Sequence, residues 1–143
     1  MLPLLALAAF AGAAPQAPRT VDIQASDNMR FTPGQIQARP GEQLRVVLKD
    51  VGTVPKAAMA HNFVLLRKGA DPKAFCDKSA GARDTDFIAP AVKGDVLAAT
   101  KLVGPGETAE VTFAAPAQPG SYTFVCSFPG HFAIGMKGTL TVK

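Results

Sequence analysis

The sequence predicts an all-β protein, built from short strands as a Greek-key sandwich. Its apolar runs are short, and several alternate polar and apolar residues with the period of two that is typical of a strand. These runs are rich in Val, Thr and Phe, and 13 glycines and 12 prolines are spread along the chain as turn formers. With 143 residues, 48% of them hydrophobic, the chain has single-domain size and can bury an ordinary core.

Eight strands are expected, each bounded by turn residues. The first alternates over Val21-Asp22-Ile23-Gln24, the second follows a Pro-Gly turn, and the third follows Arg39-Pro40-Gly41-Glu42. The fourth begins at His61 as a continuous apolar run, and turns at Gly104-Pro105-Gly106 and Gln118-Pro119-Gly120 separate the later strands. The predicted strands cover residues 21–24, 35–38, 44–48, 61–66, 96–99, 109–113, 121–126 and 137–143.

Residues 69–94 break this rhythm with mixed polar residues, and they are expected to form a flap on the sandwich. Within the flap, a short helix is predicted to begin at Pro72 with Asp71 as its N-cap. Proline suits the first helical position, because its missing N–H would have no partner there, and the aspartate oxygen can accept a free amide hydrogen. We interpret residues 69–94 as an insertion in the sandwich and not as a second domain.

The N-terminal residues 1–14 are expected to be an export signal, followed by one folded domain over residues 15–143. The signal is uncharged and apolar, and Ala11-Gly12-Ala13 has the small-residue pattern of a cleavage site. No Lys or Arg precedes the apolar part, which leaves open that the leader is truncated at its start. A membrane span needs about 20 apolar residues, and this apolar segment is shorter, so a retained membrane helix is the less favoured interpretation. We therefore expect a periplasmic or otherwise exported protein, with membrane association left open.

The charge of the chain limits the classes of partner that it is expected to bind. The formal net charge of +4 is mild, and the 15 basic residues are not gathered into a run. Nucleic acid is therefore not expected as a partner, whereas an acidic protein surface is.

The segment CSFPGHFAIGM, residues 126 to 136, contains three candidate metal ligands. Cys126 closes a predicted strand, and His131 and Met136 follow it, so that a tight loop can direct all three side chains to one centre. A thiolate, an imidazole and a thioether together suit a soft, redox-active metal, above all copper, whose electron-transfer sites use two His, one Cys and a weak Met. His61 is the only candidate for the second histidine, because the chain has two.

The same residues are also compatible with three alternative roles. The even cysteine count of an exported protein allows a disulfide between Cys76 and Cys126, although a disulfide does not account for the neighbouring histidine and methionine. A Cys-His nucleophile pair is disfavoured, because neither an oxyanion hole nor a group that orients His131 is evident. Structural zinc sites prefer four strong Cys and His ligands, for which a thioether is a poor substitute.

From about residue 21 to the C-terminus, the sequence resembles the cupredoxins, and within them it is similar to the azurins. The matching segments are Val21-Asp22-Ile23-Gln24, Asp27, Met29 and Phe31 near the start, Pro55-Lys56, Met59, His61-Asn62 and Val64-Leu65 in the middle, Thr100-Lys101-Leu102, Gly104 and Gly106-Glu107 later, and Cys126, Phe128-Pro129-Gly130-His131 and Lys137-Gly138-Thr139-Leu140-Thr141 at the end. The resemblance implies an eight-stranded Greek-key sandwich with one type 1, or blue, copper ion, and a small exported electron carrier.

The resemblance also implies the ligands. Position by position, it gives His61, Cys126 and His131 as equatorial ligands and Met136 as the weak axial ligand. Azurins add a backbone carbonyl from the residue before the first histidine, which is Ala60 here and a glycine in the family. The spacing between histidine and methionine is one residue longer than in azurins and resembles that of auracyanins. The cysteine pair of azurins is absent, so Cys76 is expected to be a free thiol or to react with another molecule of the protein.

Further roles follow from the same resemblance. Asn62 is expected to bridge the two ligand-bearing segments, and the Phe128 amide is expected to donate to the Cys126 sulfur. An exposed apolar docking patch is expected around the second histidine, where transient redox partners such as cytochromes, oxidases or reductases would dock. The docking patch consists of Met59, Pro129, Phe132, Ala133 and Ile134.

Two competing functions fit the sequence less well than electron transfer. A copper-trafficking protein would favour an open, Met-rich site, whereas this chain has four methionines and a thiolate-centred site. A copper enzyme of the nitrite reductase kind needs a second copper with its own histidines, and two histidines cannot build both sites. The sequence therefore predicts a carrier that is not an enzyme and has no small-molecule substrate.

Overall fold

The computed structural model describes Gly12 and residues 16–143, so the expected export signal lies outside the described residues except for Gly12. The strands are β1 (Arg19–Ala25), β2 (Phe31–Thr32), β3 (Gln35–Ala38), β4 (Gln43–Asp50), β5 (Val64–Leu66), β6 (Val96–Ala99), β7 (Thr108–Ala114), β8 (Gly120–Val125) and β9 (Lys137–Val142). The α-helices are α1 (Pro72–Ser79) and α2 (His131–Ile134), and short 3-10 helices cover Arg83–Thr85 and Pro90–Asp95. None of the described helices has the length and apolar character needed to cross a lipid bilayer.

The strands form two sheets that pack face to face. One sheet has the order β2-β1-β4-β7 and the other the order β3-β9-β8-β5-β6. The pairs β1–β4 and β3–β9 are parallel, and the remaining neighbours are antiparallel. This arrangement confirms the predicted all-β sandwich.

The observed strands follow the predicted ones closely, with two differences. The two-residue strand β2 is additional; it is too short to leave a periodic signal. The run from residue 61 to 66 forms regular strand only over Val64–Leu66. Its first residues bond elsewhere, because His61 forms an isolated bridge with Val103 and the Phe63 amide donates to Thr100 Oγ1 at 3.0 Å.

The main core lies between the two sheets and follows from the alternation of the strands. In β4, Leu44, Val46 and Leu48 are fully buried, while the residues between them are exposed or half-buried. From the opposite sheet, Phe124 packs against Phe63 with ring centroids 4.9 Å apart. Burial of this apolar surface is the main stabilising contribution to the fold.

The flap covers the outer face of the five-stranded sheet. As predicted, α1 begins at Pro72, and the Asp71 carboxylate accepts the Ala74 amide hydrogen at 3.1 Å. A second buried cluster joins the flap to the sheet, and it consists of Val64, Leu66, Phe75, Ala89, Val92 and Val125. Strand β5 is therefore buried on both faces, which explains why its sequence is continuously apolar and does not alternate.

Gly138 in β9 leaves no room for a side chain. A Cβ atom there would collide with the ring of the buried Phe124 and would lie 2.5 Å from the Gly34 carbonyl oxygen. We expect Gly138→Ala to lower the free energy of unfolding by about 2–3 kcal/mol, because overpacking forces a buried ring and backbone to move. Urea denaturation of the metal-free protein measures this, with Gly81→Ala as the control, since Gly81 has open space around its Cα. Equal stability of the two variants would contradict the close packing around Gly138.

Candidate metal centre

Three buried side chains converge at one end of the sandwich. His61 lies before β5, where its amide donates to the Val103 carbonyl at 3.0 Å and its carbonyl accepts the Val103 amide at 2.8 Å. Cys126 is the first residue after β8, and His131 is the first residue of α2. The structure therefore brings together the three strongest predicted ligands from two separate segments of the chain.

The distances between the donor atoms suit a single metal ion. Cys126 Sγ lies 3.4 Å from His131 Nδ1 and 4.0 Å from His61 Nδ1, and all three donor atoms lie within 4.8 Å of one another. Nitrogen and sulfur ligands lie about 2.0–2.3 Å from a first-row metal ion, so at a trigonal angle they are separated by roughly 3.7 Å. Two imidazoles and a thiolate in this arrangement fit a type 1 copper ion.

The ligand loop is fixed by its two ends and by two glycines. Gly130 and Gly135 have positive φ values of 85° and 107°, which glycine adopts without a Cβ clash, and they bound the single turn of α2. The Met136 amide donates to the His131 carbonyl at 3.0 Å, and the Cys126 amide donates to the Met136 carbonyl at 3.2 Å. Met136 is fully buried in the main core beside Cys126. The predicted axial ligand therefore lies in the same closed loop as the thiol.

The Ala60 carbonyl also faces the centre. Its oxygen lies 4.0 Å from Cys126 Sγ, and the residue is 1% exposed. The carbonyl oxygen thus lies beside the thiol, and its role as a fifth contact to a metal stays a prediction.

Burial keeps the metal-free site uncharged near neutral pH. Burial raises the pKa of the Cys126 thiol to about 12, against the opposing effect of the Asn62 and Phe128 backbone N–H groups. Burial and the charge of His61 lower the pKa of His131 to about 4. Burial also lowers the pKa of His61, whereas Asp50, Asp27 and the Ser26 backbone act to raise it. The two N–H groups that face the sulfur would stabilise a thiolate once a cation is present.

Asn62 connects the two ligand segments. Its Oδ1 accepts the Ser127 amide at 2.8 Å, and its Nδ2 donates to Ser127 Oγ at 2.9 Å. Nδ2 also donates to the Asp86 carbonyl in the flap at 3.0 Å. Ser127 and Asp86 were not predicted, although Ser127 is adjacent to the cysteine. Asp86 has a left-handed φ of 53°, and nothing local in the sequence signals its contact.

Two aromatic rings pack next to His131. The Phe128 ring is tilted over His131 with centroids 4.7 Å apart, and Phe87 of the flap meets Phe128 edge-on at 5.2 Å. These rings shield the His131 imidazole, which is only 3% exposed.

The predicted docking patch is partly exposed. Pro129, Ala133 and Ile134 are exposed, Ile134 by 50%, whereas Met59 and Phe132 are half-buried. Phe132 packs against the second buried cluster under the flap, which reduces its share of the surface.

Both cysteines are free thiols. Cys76 lies in α1 and is half-buried, and burial raises its pKa to about 12. The alternative of a disulfide between Cys76 and Cys126 therefore does not apply, and Cys126 is available to a metal.

A two-sheet sandwich with a buried site of two histidines and one thiol at its end defines a cupredoxin-type copper protein. Residues 18–143 match the profile of the plastocyanin/azurin family of copper-binding proteins, and the chain belongs to this family. The described domain is thus a copper-binding domain of this family, and its three converging donor atoms fit a single type 1 copper ion.

Individual relatives agree with this assignment. The chain is 42% identical over 140 residues to azurin of Bordetella pertussis, and the match covers 94% of this chain and 90% of the azurin. It is 39% identical over 122 residues to outer membrane protein H.8 of Neisseria meningitidis, and this match covers 84% of the chain but only 65% of the H.8 protein. Reduced auracyanin of Roseiflexus castenholzii is similar in structure, with a TM-score of 0.76 and 35% identity, over 90% of this chain and 99% of the auracyanin.

Loss of the Asn62 side chain would loosen both ligand segments. We expect Asn62→Ala to lower the free energy of unfolding of the metal-free protein by about 3 kcal/mol, because it leaves the buried Ser127 amide without a partner. Ser127→Ala removes only one of these hydrogen bonds and is expected to cost about 1 kcal/mol. Urea denaturation compares the two variants, and equal costs would exclude the bridging role of Asn62.

Proposed function

We propose that the protein carries single electrons between protein redox partners outside the cytoplasm. In this proposal, His61, Cys126 and His131 hold one copper ion, with Met136 as the weak axial ligand and the Ala60 carbonyl as a distant fifth contact. The observation that carries the proposal is the convergence of three buried soft donor atoms within 4.8 Å of one another. When bound, copper supplies the one-electron Cu(I)/Cu(II) couple that the carrier needs.

The protein's contribution is to hold its donor atoms still. Electron transfer is fast when the ligands barely move between the two oxidation states, so a rigid cradle keeps the reorganisation energy small. Three interactions provide this rigidity: the His61–Val103 bridge, the Asn62–Ser127 hydrogen bonds, and the closed loop between Cys126 and Met136. The backbone N–H groups of Asn62 and Phe128 favour the thiolate and thereby tune the potential.

Docking is assigned to the exposed part of the docking patch near His131. Brief electron-transfer encounters need a small apolar surface, on which few polar groups lose bound water when the partner docks. Such a surface is formed by Pro129, Ala133 and Ile134. The net charge of +4 favours partners with an acidic face, among cytochromes, oxidases or reductases. No enzymatic turnover or small-molecule substrate is part of this proposal.

Residues 15–143 are assigned as the copper domain and residues 1–14 as its export leader. The family match that begins at residue 18 supports the first boundary, and the small-residue pattern at Ala11-Gly12-Ala13 supports the second. Export also fits the periplasmic or otherwise extracytoplasmic location proposed for the carrier.

Copper loading tests the ligand assignment directly. Addition of Cu(II) is expected to give an intense blue or green colour and an unusually narrow copper hyperfine splitting in the EPR spectrum, because a thiolate shares the unpaired electron. Cys126→Ser is expected to lose both signals, whereas Cys76→Ser, the matched control, is expected to retain them. A colourless protein, or one in which the Cys76 change abolishes the colour, would contradict the proposal.

Metal binding is expected to release one proton. With a pKa of about 12, the Cys126 thiol is protonated at neutral pH, while His131, with a pKa of about 4, is already neutral. A metal that binds the thiolate must displace the thiol proton, so the apparent Zn(II) affinity should rise about tenfold for each pH unit between about pH 6 and 8. Competition with a chelator measures this slope. A flat profile would mean that Cys126 is not a ligand.

A further inference from the structure

A groove runs between helix α1 of the flap and the ligand loop. It has a volume of about 540 Å³, and most of its lining is apolar and comes from the loop, including Phe132 and Ile134 of the docking patch. The charged residues in its lining are Lys73, Asp77 and Lys137. The groove therefore joins the apolar docking patch to charged groups that can select the partner that docks there.

Lys137 puts an unbalanced positive charge on this surface. It is the first residue of β9, and its Nζ lies 5.5 Å from the centroid of the Phe132 ring. In the described part of the chain, Lys137 makes no ion pair with an acidic residue. The other two charged residues of the groove, Lys73 and Asp77, pair with each other along α1, so their charges cancel locally. The charge of Lys137 is thus the one that the groove leaves without a counter-charge.

Arg30 adds a second positive charge beside the ligand loop. Its exposed side chain lies over Gly135, where a Cβ atom would be 3.5 Å from the guanidinium carbon. Its Nη1 donates to the Met29 carbonyl at 3.0 Å, which orients the guanidinium without neutralising it. Asp27, the acid nearest to Arg30 in sequence, directs its carboxylate to the amides of residues 53–54. Among the described residues, Arg30 makes no ion pair.

Two unbalanced cations beside an apolar groove match a protein surface that has carboxylates around a small apolar contact. Exposed charges act over a Debye length of about 8–10 Å, so they steer and orient an encounter, while the apolar residues make the contact. A lipid surface fits less well. Each basic residue contributes only about 1 kcal/mol of attraction to anionic lipid, and two of them without a long apolar anchor do not hold a protein on a membrane.

We propose that Arg30 and Lys137 select the redox partner, because they orient the acidic rim of a partner protein so that its apolar contact enters the groove beside α2. The first residue of α2 is His131, so a partner held in this way lies next to the metal centre. This inference rests on the proposed function, and it locates in two residues a preference that the net charge alone does not locate.

The test uses two forms of cytochrome c that differ in surface charge. One form is unmodified and basic, and the other is succinylated at its lysines and therefore acidic. In each reaction one electron passes from the ferrous haem to the copper-loaded protein, so that Fe(II) becomes Fe(III) and Cu(II) becomes Cu(I). Stopped-flow absorbance gives the second-order rate constant, and each variant is compared with the unaltered chain against the same cytochrome.

Removal of the two cations should slow the reaction with the acidic cytochrome. At low salt we expect Arg30→Gln combined with Lys137→Gln to lower the rate constant about tenfold. The loss should disappear at about 1 M salt, where the Debye length is about 3 Å. With the basic cytochrome, the same variant should react as fast as the unaltered chain or faster, because like charges no longer repel.

A matched control removes the same charge from another place. Arg39→Gln combined with Lys143→Gln removes two exposed cations that lie together around the far end of β9 from Lys137. This control should keep the rate constant within about twofold of the unaltered chain, because the distance exceeds a Debye length. Arg30→Lys keeps the charge but loses the planar guanidinium over Gly135, and it should also keep the rate.

Three results would overturn the proposal. The first is an equal loss in the double variant and its control, and the second is an equal loss with both cytochromes. The third is binding to phosphatidylglycerol vesicles that the double variant loses while its cytochrome rates stay unchanged, since this would assign the two cations to a lipid surface.

The copper spectrum separates this proposal from the proposed function. Every variant should keep the colour of the copper-loaded chain, and its loss in the double variant would overturn the proposal by placing Arg30 and Lys137 in the metal site. If the unaltered chain binds copper but accepts electrons from neither cytochrome, the proposed function fails. If it accepts electrons from both and the two cations make no difference, only their selecting role fails.

Discussion

The copper end of this molecule depends on the hydrogen bonds of one side chain, that of Asn62. Two segments far apart in sequence supply the donor atoms, one held by the His61–Val103 bridge and the other by the closed loop between Cys126 and Met136, and their position relative to each other depends on a further contact. The Asn62 amide satisfies the Ser127 backbone and hydroxyl and at the same time reaches the Asp86 carbonyl. Since Asn62 and Ser127 are buried, breaking the bonds between them leaves polar atoms that water cannot reach. The amide therefore fixes the ligand segments and the flap relative to each other.

The flap packs against both the five-stranded sheet and the metal centre. Its apolar side chains cover the outer face of β5, and Phe87 meets Phe128, which in turn packs on His131. The insertion that interrupts the strand pattern in the sequence thus packs against both the sheet and the aromatic ring that contacts His131. It does so through a bend at Asp86 and Phe87, both of which have a positive φ that non-glycine residues rarely adopt.

The sequence was informative where local signals decide the structure. Period-two alternation located the strands, the Asp71-Pro72 pair located α1, and the scarcity of histidine and cysteine identified the donor atoms. The sequence does not predict features that depend on contacts between residues far apart in the chain. Asp86 meets Asn62 only through the left-handed bend of the flap. Asp50 lies beyond the predicted strand of residues 44–48, although continued alternation after Leu48 puts it on the buried face of β4.

The hydrogen bond between the Cys126 amide and the Met136 carbonyl continues the register of β8 and β9 beyond their last paired residues. In topological terms, the ligand loop is the tip of a hairpin whose base is already closed. Residues can be added to or removed from such a tip without shifting either strand, because the ladder below it sets the register. The loop can thus vary in length as a separate module while the ladder of β8 and β9 keeps its register.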